Sequence, residues 1–167
     1  MARDLGRDAR KALRDFQIRN KLNRSTHREA VLDALLASKS HLSASQLLIS
    51  MRGQSTDLGQ TTVYRALKVL TDAGLARELV INGEAHYENN FQRAHHDHLI
   101  CSSCGAIIEF NHPEIERLQD VVAKRFGFTI ESHRHEMFGL CRDCSPKKKT
   151  ANNTVSRPTA RRPSSPA

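Results

Sequence analysis

The stretch His95-His96-Asp97-His98-Leu99-Ile100-Cys101-Ser102-Ser103-Cys104-Gly105 places six side chains able to bind a metal within ten residues. Two chemistries meet in it. Cys101-x-x-Cys104 recurs downstream as Cys141-x-x-Cys144, and each pair forms a knuckle that aims two thiolates at one point. Four thiolates match tetrahedral zinc, in a site that is structural rather than catalytic. Disulfides are the weaker reading in a cytosolic chain. The 36 residues between the pairs exceed the gap of a minimal zinc ribbon and must carry structure of their own. Ala106 to Phe110 reads as a strand. Pro113 opens a helix through Ile115, Leu118, Val122 and Phe126 that stops at Gly127, with His112 as a candidate cap. Phe128 to Phe138 then reads as a returning strand.

On an extended backbone successive side chains point to opposite faces, so His96 and His98 share one side while His95 and Asp97 share the other. One tetrapeptide can therefore feed two metal centres besides the cysteines. Imidazole with carboxylate suits Fe(II), Zn(II), Mn(II) or Co(II). Glu88, Glu109, Glu116, His133 and His135, nearby in sequence or expected nearby in space, can complete the sets. His27 and His86 are read as structural.

Upstream, the pattern changes from ligands to helices. Leu5, Ala9, Leu13 and Phe16 recur at helical spacing, with Arg7, Arg10, Lys11 and Arg14 on another side. Val31, Leu32, Leu35 and Leu36 mark a second helix. Ser43-Ala44-Ser45-Gln46 is a capping box before the apolar Leu47, Leu48 and Met51. Gln60 to Ala73 buries Val63, Ala66, Leu67 and Leu70, and leaves Thr61, Thr62, Tyr64, Arg65 and Lys68 outside. Hydroxyls on phosphate, Arg on guanine and Tyr against a thymine methyl suit that outward set to DNA; a solvated helix face is the bland alternative. Gly74 ends this helix. Leu79 to Ile81, Asn82-Gly83 and Ala85 to Glu88 read as a hairpin with a type I′ turn. Three short helices followed by a two-stranded wing make a winged helix-turn-helix whose third helix enters the major groove.

Charge divides along the same line. The chain of 167 residues carries a formal +8, yet six basic and no acidic residues lie from Pro146 onward. Residues 1 to 91 carry +4 and residues 92 to 145 carry −2, so basic character inside the folded part belongs to the N-terminal half. The Ser-, Pro- and Arg-rich tail, 146 to 167, reads as disordered. Apolar runs are too short for a membrane span, and the first residues lack a signal-peptide core, which places the chain in the cytoplasm.

The ordered run Thr62-Val63-Tyr64-Arg65, Asp72-Ala73-Gly74-Leu75, His95 to Cys101, Cys104-Gly105, Ile108-Glu109-Phe110 and Cys141-x-x-Cys144 resembles the ferric uptake regulator family of bacterial metal-responsive transcription factors. The resemblance covers roughly residues 5 to 145. It implies an α+β chain: a winged-helix DNA-binding domain (1 to 90), a hinge (91 to 94), and a small α/β dimerisation domain with the four-cysteine zinc (95 to 145). It implies structural Zn2+ on Cys101, Cys104, Cys141 and Cys144. It further implies a regulatory site of His41, Glu88, His96, His98 and Glu109, and another site of His95, Asp97, Glu116 and His133. DNA contacts fall on Thr61, Thr62, Tyr64 and Arg65. Where the family commonly sends a basic residue into the minor groove this chain has Asn23, with Arg24 next and Lys21 two before.

The implied function is an iron(II)-responsive repressor of metal-uptake genes. It would act as a homodimer, with higher oligomers as an extension, on palindromic double-stranded operators. Peroxide-sensing relatives typically carry aspartates where Glu88 and Glu109 stand, and zinc sensors more often place a cysteine at the regulatory site, where no spare cysteine exists here. Zn2+ or Mn2+ accept the same ligands as Fe2+, so zinc-, manganese- and peroxide-responsive members stay as alternatives. From other classes, a zinc metallohydrolase or a metal-storage protein would use the same histidines. Neither needs the Thr62 to Arg65 helix, and no nucleophile elbow or H-E-x-x-H is present.

Overall fold

The computed structural model describes residues 2–53 and 58–146. It contains the helices α1 (Ala2–Arg19), α2 (Thr26–Ala37), α3 (Ala44–Ser50), α4 (Gln60–Asp72) and α5 (Pro113–Arg125). The strands are β1 (Leu42–Ser43), β2 (Ala76–Ile81), β3 (Glu84–Asn89), β4 (Asp97–Cys101), β5 (Ile107–Phe110) and β6 (Glu136–Gly139). The chain is thus α+β. Residues 147 to 167 of the expected tail lie outside the described residues.

The first four helices share one core. Ala9 and Leu13 of α1, Val31, Leu32 and Leu35 of α2, Leu47 of α3, and Val63, Leu67 and Leu70 of α4 are all sealed from solvent. Fully burying a Leu or Val side chain contributes roughly 1.5–3 kcal/mol. Local chemistry sets the ends. Ser25 Oγ accepts from the Arg28 amide, and Ser43 with Gln46 forms the reciprocal capping box. Asn82 and Gly83 both adopt positive φ, 51° and 83°, as a type I′ turn requires.

The wing is larger than its sequence pattern predicts. β2 and β3 pair over six residues each, and β1 adds a third strand in the order β1-β3-β2. β1 is only two residues long, too short for any alternation to be read, and it exists because Leu42 and Ser43 find Tyr87 and His86 opposite them.

The second sheet has the order β5-β4-β6, with β4 pairing antiparallel to β5 and parallel to β6. The expected strand from Phe128 to Phe138 is corrected to Glu136–Gly139. Strand identity needs a neighbour, and residues 128 to 135 have no ladder partner among the described residues. His112 holds the N-cap position of α5, but its side chain makes no capping bond. α5 itself buries none of its residues among the described ones. Leu118, Val122 and Phe126 stand 49, 55 and 68% exposed along a groove of about 720 Å³. Among the described residues no helix is long and apolar enough to cross a membrane.

Candidate metal centres

Three groups of ligand atoms converge, each with its atoms within 4.8 Å of one another: Cys101, Cys104, Cys141 and Cys144; His41, Glu88, His98 and Glu109; and His95, Asp97, Glu116 and His133. The four-cysteine set joins the end of β4 to the chain after β6. All four thiols are free, and Cys104 Sγ lies 3.8 Å from Cys141 Sγ. That spacing equals the edge of a tetrahedron whose centre lies about 2.3 Å from each sulfur, the ordinary Zn–S length, and is far beyond a disulfide. Gly105 closes the first knuckle at φ +73°, where an L side chain would be strained. The Cys104 and Cys141 backbone amides hydrogen-bond to Cys101 sulfur and bring its thiol down to about 6, while at Cys144 the lowering hydrogen bond with Ser103 is outweighed by those with Cys141 and Cys104, which push its thiol up to about 12. Four thiols so close cannot all ionise without a cation among them.

The second group spans both halves of the molecule. The β1–β3 register, Leu42 opposite Tyr87, brings His41 beside Glu88, and the β4–β5 register sets His98 opposite Glu109. His41 Nε2 lies 3.2 Å from His98 Nε2, 3.3 Å from Glu88 Oε2 and 3.6 Å from Glu109 Oε1. His98 and Glu88 are sealed at 0 and 1% exposure. Burial opposes ionisation of Glu88, but hydrogen bonds from His41 and His98 and the nearby His96 outweigh it and hold the carboxyl well below its usual range. His98 Nδ1 is buried without a partner. His96 sits at the edge of the group. Its Nε2 is 3.1 Å from Glu88 Oε2, its Nδ1 faces Ala94 O at 3.0 Å, and Arg77 anchors its carbonyl at 3.2 Å.

The opposite face of β4 supplies the third group, as alternation requires. Asp97 is fully buried, and neither carboxylate oxygen has a hydrogen-bond partner. Oδ1 lies 3.2 Å from His95 Nε2, and Oδ2 lies 3.5 Å from His135 Nδ1, itself unpartnered. His133 Nε2 is 2.9 Å from His95 Nε2, and Glu116 on α5 approaches both rings at 3.3 Å. A buried carboxylate with two idle oxygens is costly unless a cation takes them. The donor set fits a divalent ion of borderline or harder character.

One neighbour of these groups, Arg93, went unassigned on sequence reasoning, and another, His135, was named as a nearby candidate without a place in either set. Arg93 donates from Nη1 to Glu88 Oε2 and from Nη2 to Glu109 Oε2, each at 2.6 Å. Nothing in its spacing announces this, because its partners lie on two different sheets. His135 carried a readable signal: it falls two residues after His133 on an extended segment and so shares its face.

The residues expected to contact DNA lie on α4 and in the stretch between α1 and α2. Tyr64 is 41% exposed and Thr61 and Arg65 are exposed on α4, while Thr62 is half-buried. Lys21 is exposed at positive φ, and Arg24 pairs with Glu29 at 3.3 Å.

Comparison with known proteins agrees with this arrangement. The sequence model of the ferric uptake regulator family matches residues 19–138. The chain is 35% identical over 129 residues to the ferric uptake regulation protein of Campylobacter jejuni, covering 76% of this chain and 82% of the relative. It is 33% identical over 121 residues to the peroxide operon regulator of Bacillus subtilis, covering 72% and 83%. Among solved structures, the Helicobacter pylori ferric uptake regulator, which has three functional metal binding sites, superposes with a TM-score of 0.75 at 33% identity, covering 86% of this chain and 95% of that one. The fold, the ligand groups and these likenesses together make the chain a member of the ferric uptake regulator family of metal-responsive transcription regulators.

Proposed function

We propose that this chain is a metal-dependent transcription repressor, with iron(II) as effector, acting in the cytoplasm as a homodimer on palindromic operators of metal-uptake genes. The observation that carries this reading is the composition of the second ligand group. His41 and Glu88 come from the winged-helix half, His98 and Glu109 from the second sheet, and their donor atoms lie within 4.8 Å of one another. An ion held in common would supply two positive charges at the junction of the two halves. His41 and Glu88 would then fix the winged helix against β4 and β5. The arrangement favoured is the one in which all four ligands reach one point, and the equilibrium shifts only by that preference.

In this reading residues 1 to 90 bind DNA, 91 to 94 form the hinge, 95 to 145 dimerise, and 146 to 167 form a basic tail that adds salt-dependent affinity. Structural Zn2+ sits on Cys101, Cys104, Cys141 and Cys144. His95, Asp97, Glu116 and His133 hold a further ion. His41, Glu88, His96, His98 and Glu109 form the regulatory site, with His96 entering beside Glu88. Thr61, Thr62, Tyr64 and Arg65 meet the major groove, and Lys21 and Arg24 meet the flanking backbone. The open α5 face supports the dimer, since Leu118, Val122 and Phe126 need a cover that the described chain does not provide. Glutamates at 88 and 109 favour iron over peroxide sensing. The chain has no need of a catalytic role.

His98→Ala tests the reading. The metal-dependent part of operator affinity should fall at least about tenfold, the scale of one lost interaction of about 1.4 kcal/mol, while the four-cysteine zinc content stays constant. Unchanged affinity across a metal titration would overturn it.

A further inference from the structure

The guanidinium of Arg93 occupies a place that chemistry reserves for a cation. Glu88 lies on β3 of the winged-helix half and Glu109 on β5 of the other. Each presents Oε2 to a separate Arg93 nitrogen at 2.6 Å. Glu109 Oε1 faces His41 at 3.6 Å and Glu88 Oε1 faces His98 at 3.5 Å, while Glu88 Oε2 is shared with His41 at 3.3 Å. Two ionised carboxylates this close repel unless positive charge stands between them. A planar fork of donors offers a separate nitrogen to each acceptor, whereas an ammonium must serve both from one atom. Arg93 belongs to the hinge, immediately before the ligand run, so its reach to both halves requires no long excursion of the backbone.

We propose that Arg93 is the resident cation of the regulatory centre, bridging the two halves in the metal-free protein as a bound divalent ion would bridge them in the loaded one. The inference rests on the reading of His41, Glu88, His98 and Glu109 as that centre. Its consequence is a metal-free state with the domains already tied, so that metal replaces one bridge by a stronger one rather than creating it. Arg93 acts through the glutamates and is a positioning residue.

Hydrogen exchange read by mass spectrometry on the full chain, with structural zinc retained and other metal removed, tests this for wild type, Arg93→Ala and Arg93→Lys. In the metal-free state Arg93→Ala should exchange about tenfold faster at the hinge and β5 amides, the scale of losing charge-assisted bonds that are partly solvent-screened. Arg93→Lys should fall between. Saturating Mn(II), with binding counted by equilibrium dialysis, should return Arg93→Ala to the wild-type pattern. Equal metal-free exchange in all three proteins overturns the proposal. So does Arg93→Ala remaining fast with Mn(II) stoichiometrically bound, which would make Arg93 a structural residue of both states. Faster metal-free exchange combined with no Mn(II) binding to wild type would uphold the bridge and remove the metal reading instead.

Discussion

Asp97→Asn is the most informative single substitution at the further site. Asp97 is sealed from solvent, and its carboxylate lies 3.2 Å from His95 Nε2 and 3.5 Å from His135 Nδ1, neither hydrogen-bonded to it. In metal-free protein an unsatisfied buried polar group costs about 1–3 kcal/mol, and more when charged. An ion bound at a hundred times its dissociation constant stabilises the folded state by about 2.7 kcal/mol. At about 2–4 °C per kcal/mol for a chain of this size, the site should raise Tm by about 5–11 °C. Asn at 97 removes the charge and keeps the shape. Metal-free Asp97→Asn should therefore melt at or above the wild-type temperature, and this site's share of the metal-induced shift should vanish. Calorimetry with and without Mn(II), in the Glu88→Gln background so that only this site responds, reads both quantities. A metal-free Asp97→Asn protein that melts lower, or one that keeps the whole shift, would refute the reasoning.

Other predictions follow from the same geometry. Val122→Glu on the exposed α5 face should weaken self-association about tenfold or more by sedimentation, since burial of such a side chain is worth about 1.5–3 kcal/mol; an unchanged dimer would place the interface elsewhere. Cys104→Ser should release the structural zinc and loosen the junction of β4 and β6, read as loss of zinc content together with loss of cooperative melting of the second sheet; retention of one zinc per chain would contradict the four-thiolate site. Glu88, whose carboxyl is held below its ordinary 4.5, should stabilise the metal-free fold fully above about pH 4.5 and progressively less as the pH falls through its lowered value. The stability difference between wild type and Glu88→Gln should accordingly shrink as the pH falls below about 4.5; a difference that grows there has the wrong sign.

The parts of this fold that were legible in sequence are those written in short-range patterns. The capping box at Ser43, the Asn82-Gly83 turn, the buried stripe of α4 and the paired cysteine knuckles each depend on residues within one turn or one hairpin. The alternation of His95 to His98 was equally local, and the structure has His95 and Asp97 in one group of ligand atoms and His98 in another. What the residues alone left out is long-range. His41 reaches Glu88 only because the two-residue β1 joins the wing, and its place in the site came from family resemblance rather than from pattern. His96 presents Nε2 to Glu88 at 3.1 Å with Nδ1 on the Ala94 carbonyl, so it meets the group from the Glu88 side. Arg93 was invisible because its two partners sit on different sheets. The strand from Phe128 was overextended because apolar residues there read as β-structure, whereas they line the open groove beside α5.

In the proposed function, metal at the junction of the two halves controls DNA binding. The direct measurement is anaerobic operator binding with structural zinc held constant, titrated separately with Fe(II), Mn(II) and Zn(II), and with Arg65→Ala as the control for the α4 contact. Binding should be driven by micromolar Fe(II), survive brief peroxide, and be weakened by Arg65→Ala at every metal level, by about 1–3 kcal/mol for a base contact. Operator affinity that is independent of all three metals would contradict it.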